Sequence, residues 1–462
     1  MTIVHIAKAL LSRLQSDTSL KELIRDSGIL YIAGILTIGL TFVQQITTAN
    51  LLGSGDYGRL ATILSSGALI MLILDVRTWE LGTKLLARPI LEQSYVEITR
   101  VVTWLIMVEI VLGIIGTLVL LVLARPIAAH LLKEPEFESL IRQYAISIPF
   151  RMFSLGVSVA LLRLYDMFVW IAAKSIAYAV LRLVLMTGAA LIGLGLAGVL
   201  AAVIIGEIMN MLTLLWMTLL IRRRKMPGVP LFDLRKPQQF ASGFKIMGQL
   251  WITATLGGLH QHTFVPILAL LTSPEQVGLF RVSTDIAELI DRLTAPLSIV
   301  IFPKVITSYE RDPSETFMRF TKQLMWLLAS LTLPMTLGII IIGPLIFPHL
   351  LPDYKGVAIV AAILAIGYGI NATFIWVRPA IVSLGLLREQ NVLAVLLIGF
   401  SMFLLFIFVE DYGAVAGAIS RGVFLSVYTL LSYLLLRHRQ IRTNSHLSDE
   451  AISRSVNDSL IL

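Results

Sequence analysis

Four residues between positions 281 and 292 are the clearest place to look for chemistry in this chain of 462 residues. Arg281, Asp285, Glu288 and Arg292 follow spacings of 4, 3 and 4, and an α-helix turns about 100° per residue. All four then fall within about 60° of arc, one narrow stripe of charge along an otherwise apolar helix. Asp291 lies just beside it. Arg281 can pair with Asp285, and Glu288 with Arg292. Facing hydrocarbon, such a stripe would be prohibitively costly. It therefore either lines a water-filled cavity or is buried against other helices as an ion network. A cavity with fixed arginines steadied by carboxylates suits phosphate-bearing ligands, because guanidinium presents a planar donor fork and stays protonated. Other charges also sit in apolar surroundings: Arg151, Lys174, Arg182, Arg378 and Arg421, with Glu109 and Glu207 as acids. Each can face a cavity or pair across a helix contact.

The elements that carry these residues are read from hydropathy. Hydrophobic residues make up 57% of the chain and charged residues 14%, against about 25% charged in soluble domains. Mean hydropathy is +0.85, which argues against a cytosolic globular enzyme. A bilayer core of about 30 Å takes roughly 20 apolar helical residues per crossing. Twelve segments qualify, near 28–50, 59–77, 99–124, 139–162, 168–193, 196–221, 243–271, 277–303, 320–347, 356–384, 390–409 and 412–436. They are long and continuously apolar, unlike the short alternating strands of a barrel. The expectation is an all-α polytopic membrane protein with about twelve transmembrane helices.

Net charge is +8, which in a soluble protein would suggest nucleic acid. Here the cations are distributed by topology. With the N-terminus inside, about 25 Lys and Arg fall in inner connections and about 5 in outer ones, so both termini are expected in the cytoplasm. That leaves several cations within spans and removes nucleic acid as a partner. The first 27 residues carry Lys8, Arg13, Lys21 and Arg25 without a short apolar core, and read as a cytoplasmic amphipathic head, not a signal peptide. Arg222-Arg223-Arg224-Lys225, followed by Pro227 and Pro230, marks a boundary between two groups of six spans. Its plain reading is a topology-setting loop; a lipid-headgroup site is the alternative. The implied segments are the head 1–27, an N-lobe 28–225, a linker 226–240, a C-lobe 241–438 and a polar, disordered tail 439–462.

Glycines hint at duplication. Gly58 precedes span 2 and Gly278 opens span 8, while Gly195 and Gly198 precede span 6 as Gly413 and Gly417 precede span 12. Two pairings at nearly the same offset favour two parallel six-span repeats. Pro149, Pro266, Pro296, Pro334 and Pro379 fall inside spans and predict bends.

Soluble catalytic motifs are missing: there is no phosphate-binding loop, no His-Glu-x-x-His and no Gly-x-Ser-x-Gly. His260 and His262 would diverge on a helix and cannot readily share a metal. The chain has no cysteine, which excludes thiolate catalysis and disulfides. No cofactor is expected. Connections are short, so a membrane-embedded glycan polymerase or ligase, which needs a large external domain, is the weaker reading.

Three motifs carry a resemblance. Leu52-Gly53-Ser54-Gly55-Asp56-Tyr57-Gly58-Arg59, leading to Leu74-Asp75, resembles the first-to-second-helix region of polysaccharide (O-antigen) flippases of the multidrug/oligosaccharidyl-lipid/polysaccharide exporter superfamily. Val277-Gly278-Leu279-Phe280-Arg281-Val282, leading to Phe302-Pro303-Lys304, is similar to the same family, as is Asp411-Tyr412-Gly413-Ala414-Val415-Ala416-Gly417-Ala418. Where the family's second helix often continues Asp-Leu-Gly, this chain has Asp75-Val76-Arg77. The resemblance implies two six-helix lobes around a central cationic cavity, and a cargo of undecaprenyl-pyrophosphate-linked oligosaccharide flipped across the bacterial inner membrane by alternating access. Under that reading the in-span cations Arg281, Arg292, Arg151, Arg378 and Arg182 are the expected substrate-binding residues. Asp285, Glu288 and Asp291 would orient those arginines or carry a coupling proton. Partners would be the lipid-linked glycan, the bilayer and polysaccharide polymerase machinery. A cation-coupled drug or metabolite exporter of the same superfamily is the alternative.

Overall fold

The structure, a computed structural model, describes residues 18–154, 156–237, 240–311 and 315–460. Most of the amphipathic head lies outside the described residues. The described elements are all helices: α1 (Thr18–Leu74), α2 (Thr78–Leu91), α3 (Tyr95–Pro126), α4 (Glu138–Ala145), α5 (Ser147–Ser154), α6 (Val157–Leu164), α7 (Phe168–Leu191), α8 (Gly195–Lys225) and α9 (Phe240–His262). There follow α10 (Phe264–Leu271), α11 (Pro274–Ala287), α12 (Leu289–Arg311), α13 (Glu315–Ile341), α14 (Gly343–Leu350), α15 (Val357–Thr373), α16 (Val377–Ser383), α17 (Leu387–Tyr412) and α18 (Ala414–Leu460). Each of the twelve apolar segments is helical. Eight described helices are long and apolar enough to cross a membrane, or nine with the bent pair α15 and α16 taken as one span. The number falls short of twelve because spans 1 and 2 follow each other within α1 with only the kink at Gly53 between them, and spans 7 and 8 are each divided.

The divisions have a backbone cause. Proline lacks an N–H and its ring clashes with the carbonyl four residues earlier. Helices accordingly break three residues or so before Pro149, Pro266 and Pro379, at Ile146, at Thr263 and across Phe374–Trp376. The last of these bends the α15–α16 pair by 42°. Pro334 sits within α13 without dividing it, and Pro296 lies inside α12. At the other end, α18 continues through Leu460, past the point where polar composition predicts disorder. No glycine or proline follows Gly422 to stop it.

Two compact units emerge, one of 1–52 with 62–263, the other of 53–61 with 264–462. Their bounds differ from the lobes expected from sequence, since α9 belongs with the first unit and the short Gly53–Ala61 stretch with the second. In the first unit, Leu81, Leu85 and Leu86 of α2 are buried with Ile98, Val101 and Leu105 of α3 and Val157 and Leu161 of α6. Burying a leucine this way contributes about 2 kcal/mol. Residues 78–91 lie outside the twelve apolar segments, because Lys84 and Arg88 interrupt the apolar run. The basic segment after α8 is also fastened down. Arg222 Nη2 donates to Thr99 Oγ1 at 3.1 Å and to the Pro230 carbonyl at 2.7 Å. Arg100 Nε donates to Asp233 Oδ2 at 2.9 Å. The Arg235 backbone N–H and then the Arg100 guanidinium hold the Asp233 carboxyl below the usual carboxylate range.

Arg77 ends the first turn away from α1 with φ 54°, the left-handed region. The family pattern has glycine here, and glycine alone adopts that conformation without a steric penalty. The arginine is held by two local bonds: its N–H donates to Asp75 Oδ1 at 2.8 Å, and Nη1 reaches Glu80 Oε1 at 2.6 Å.

In the second unit Gly58 and Gly278 press on each other's segments. A Cβ at Gly58 would overlap the Pro274 carbonyl, and one at Gly278 the Ser54 carbonyl. The two glycines that suggested a repeat therefore form one backbone-to-backbone contact. Gly195 and Gly413, paired by the same repeat, both take positive φ, 58° and 48°.

Two outcomes are expected from thermal unfolding of the detergent-solubilised protein. Arg77→Gly should leave stability unchanged or raise it by up to about 1 kcal/mol, relief of the left-handed strain offsetting the lost Glu80 pair, while Arg77→Val should lower it by about 1–2 kcal/mol. Gly278→Ala should cost about 3 kcal/mol or more, because the clash is with backbone. Gly399→Ala, with open space around it, should be close to neutral.

Candidate functional site

The motif glycines place the charged stripe. Gly53 takes φ 73° and ψ 171°, turning α1 so that Tyr57 reaches α11. Tyr354 donates to the Gly53 carbonyl at 3.1 Å and packs edge-on against Tyr57, centroids 6.4 Å apart. Gln276 Oε1 accepts the Ala414 N–H at 2.8 Å, and Gly417 lets α18 close on the Phe280 ring. The three segments that carry the family resemblance thus meet in one place, at the start of α11.

Asp285 lies about three turns along α11 and is the hub. Its side chain is 1% exposed. Arg281 grips it with two nitrogens, Nη2 to Oδ1 at 3.0 Å and Nε to Oδ2 at 3.2 Å. Tyr57 donates to Oδ2 at 3.1 Å, and Arg292 Nη2 approaches Oδ1 at 3.6 Å. Arg292 also bonds Glu288 Oε2 at 3.0 Å. The arginine side chains are about a quarter to a third exposed, 32% and 26%, so the acid is interior and the arginine side chains around it are partly open. The structure joins the two readings of the stripe: its acid belongs to a buried network, and its cations are partly open.

Asp291 faces sideways, accepting from Asn371 Nδ2 at 3.1 and 3.2 Å, while Asn371 Oδ1 accepts from Thr429 at 3.2 Å. That chain ties α12, α15 and α18 together. Arg421 of α18 is buried, its guanidinium 5.5 Å from the Tyr368 ring centroid and 5.9 Å from Phe264. It lies within electrostatic reach of Glu288 and Asp291. Arg281, Arg292 and Arg421 thus balance Asp285, Glu288 and Asp291, and the cluster is formally neutral. Tyr57, Asn371, Tyr368 and Thr429 were missed by sequence reasoning. A lone asparagine in the apolar run 357–373 was the available signal. Arg378, expected at the site, stands on α16 beyond the 42° bend, exposed and within reach of Tyr428 instead.

A second charged cluster occupies the first unit. Arg151 of α5 lies beside Tyr144, Tyr178 and Glu207. Arg182 and Lys174 of α7 approach the Tyr178 ring, each 5.8 Å from its centroid. Glu207 of α8 is buried and also faces Lys174. Arg182 Nη2 contacts only the Met186 sulfur at 3.7 Å among its hydrogen-bond partners, and its buried Nε makes none among the described residues. Three cations here share one acid. Sequence reasoning picked Arg151 and Arg182 singly; only the fold shows that they belong together.

Glu109 is spoken for. It is buried, and its Oε1 accepts the Val157 N–H at 2.7 Å, satisfying a free donor at the start of α6. Among the described residues no group of three metal-ligating side chains occurs.

A family model described as polysaccharide biosynthesis protein matches residues 23–309. The chain belongs to that family. No curated protein matches. Among solved structures, an inward-facing multidrug resistance MATE family transporter of the MOP superfamily superposes with a TM-score of 0.70 at 13% identity, covering 89% of this chain and 99% of that one. The lipid II flippase MurJ in an inward closed conformation gives a TM-score of 0.63 at 12% identity, covering 91% and 92%. A point mutant of the Vibrio cholerae MATE transporter VcmN gives 0.58 at 16%, covering 91% and 98%. At such identities the likeness establishes the fold. Family and fold together support a multi-span membrane protein of polysaccharide biosynthesis.

The Asp285 hub generates a test. Asp285→Asn leaves the Arg281 guanidinium without its counter-ion and Arg292 with Glu288 alone, and should cost about 3–5 kcal/mol, read by thermal unfolding in detergent. Breaking the exposed Arg88–Glu92 pair with Arg88→Gln should cost at most about 1 kcal/mol. Adding Arg281→Gln to Asp285→Asn should recover part of the loss, as a double-mutant cycle measures.

Proposed function

We propose that the protein flips an undecaprenyl-pyrophosphate-linked oligosaccharide from the inner to the outer leaflet of the bacterial inner membrane, by alternating access between lobes 28–225 and 241–438 joined through 226–240. The observation that carries this reading is the surplus of positive charge around Glu207. Arg151, Lys174 and Arg182 have a single nearby acid, and uncompensated cations in apolar surroundings are costly. A ligand bearing two phosphates would supply the missing negative charge. Arginine's bidentate donors suit phosphate oxygens.

Arg281 and Arg292 contribute in a second way. Asp285 and Glu288 orient them, and their partly open faces remain available to anionic sugar or phosphate groups. Asp291, bonded to Asn371, is assigned the coupling proton. Sugars and pyrophosphate cannot cross hydrocarbon unaided, whereas the isoprenoid tail can stay in the bilayer throughout. The polysaccharide family of the chain fits a glycan cargo, and both ends of the chain are assigned to the cytoplasm.

The test is complementation of a bacterial strain lacking its own glycan flippase, with surface polysaccharide quantified and membrane levels of the protein matched. Arg151→Gln and Arg182→Gln should each lower export about tenfold or more, the value of one charge-assisted hydrogen bond. Arg151→Lys should recover part of it. Undiminished export in the double variant, together with a gain in drug tolerance conferred by the unaltered chain, would replace this reading with a drug exporter.

A further inference from the structure

The run Arg222-Arg223-Arg224-Lys225 does not act as a unit. Arg222 is turned inward and buried, consumed by Thr99 and the Pro230 carbonyl. Arg224 and Lys225 are exposed, and they line a cleft between the first turn of α7 and the last two turns of α8. The remainder of that cleft is apolar, with Met167 and Trp170 on one side and Met217 and Ile221 as its floor. Met217 and Ile221 are themselves buried in a core with Phe153, Leu162 and Leu214, so the floor is rigid. Trp170 pairs with the exposed Trp216, centroids 5.9 Å apart.

Depth follows from helix length. α8 has 31 residues, about 46 Å at 1.5 Å per residue, against a hydrocarbon core of about 30 Å. Its last turn therefore stands in the headgroup layer, with Trp170 and Trp216 at the aromatic belt level. A cleft that is apolar toward the bilayer and doubly cationic at the headgroup level is complementary to a molecule with acyl chains and an anionic head. We propose that this cleft binds one anionic phospholipid, phosphatidylglycerol in type, with its phosphate at Arg224 and Lys225 and an acyl chain along Met217 and Ile221. The site lies wholly within the first unit and does not rest on the transport reading. It separates two roles that the basic run combines: Arg222 fastens the following segment, and Arg224 with Lys225 recruits lipid.

The experiment uses the full-length chain in lipid nanodiscs and measures quenching of tryptophan emission by brominated phosphatidylglycerol against brominated phosphatidylcholine, with a W170F/W216F chain as the reference for distant tryptophans. Phosphatidylglycerol should quench more strongly at equal mole fraction. The preference should fall about fivefold in R224Q and in K225Q, and about twenty-five-fold in the double variant, as expected for each cation near an anionic headgroup. R223Q should leave it unchanged. M167F, which fills the cleft and keeps both cations, should weaken quenching by phosphatidylglycerol as well. Equal quenching by the two lipids, or a preference that survives R224Q/K225Q, would overturn the proposal. Displacement of the lipid by millimolar inorganic phosphate would overturn it in favour of a soluble anion.

Discussion

A carboxylate with 1% of its side chain exposed, Asp285, sets the terms for the second unit. An ionised acid in apolar surroundings is tolerated only when paired and hydrogen-bonded. Asp285 meets that condition through hydrogen bonds from Arg281 and Tyr57, on two parts of the chain, and through the charge of Arg292 nearby. Tyr57 can reach it only because Gly53 takes positive φ and Gly58 meets Pro274 and Gly278 without side chains between them. The charge pairing and the glycine contacts therefore depend on each other. A residue larger than glycine at either contact would lift Tyr57 away and leave the buried acid one donor short.

Backbone breaks are the counterpart of this arrangement. Three of five in-span prolines stand about three residues after a helix break. A broken span exposes N–H groups that no water in the membrane can satisfy, so each break needs a protein partner. Glu109 supplies one for Val157 at 2.7 Å. That explains an acid in span 3 without any ligand, and it shows why a charge in a span is not by itself evidence of a binding role.

How far the sequence led can be traced residue by residue. The stripe Arg281–Asp285–Glu288–Arg292 was readable because its members lie on one helix, where 3.6-residue periodicity converts spacing into direction. The three glycine motifs were readable as signals, but not as one assembly, since their contacts join residues more than 130 positions apart. Tyr57 donates to Asp285 across that separation, and no local pattern announces it. The same holds for Asn371 bridging Asp291 and Thr429. Helix α2 was hidden for a different reason. Its apolar positions are helically spaced, but Lys84 and Arg88 on the opposite face dominated a reading tuned to membrane spans. Arg378 stands apart from the stripe because the helix bends by 42° just before it, a bend that Pro379 signals but whose direction spacing does not give.

Sorting the in-span charges by what each is bonded to distinguishes their roles better than counting them. Glu109 serves a helix start. Asp285 serves two arginines and a tyrosine, leaving them oriented and their outer faces partly open. Asp291 serves an amide that continues to Thr429. Asp285 and Asp291 have their demand met within the chain, and the cluster around α11 and α12 sums to neutrality. Glu207 differs, because Arg151, Lys174 and Tyr178 all draw on it and Arg182 keeps a buried Nε with no hydrogen bond among the described residues. An evolved membrane protein that retains several costly cations around one acid carries a standing demand for negative charge. A neutral or cationic cargo would leave that demand unmet, whereas a pyrophosphate would meet it with the geometry that guanidinium groups favour. On the proposed reading, the first unit calls for an anionic cargo more strongly than the stripe on α11 and α12 does.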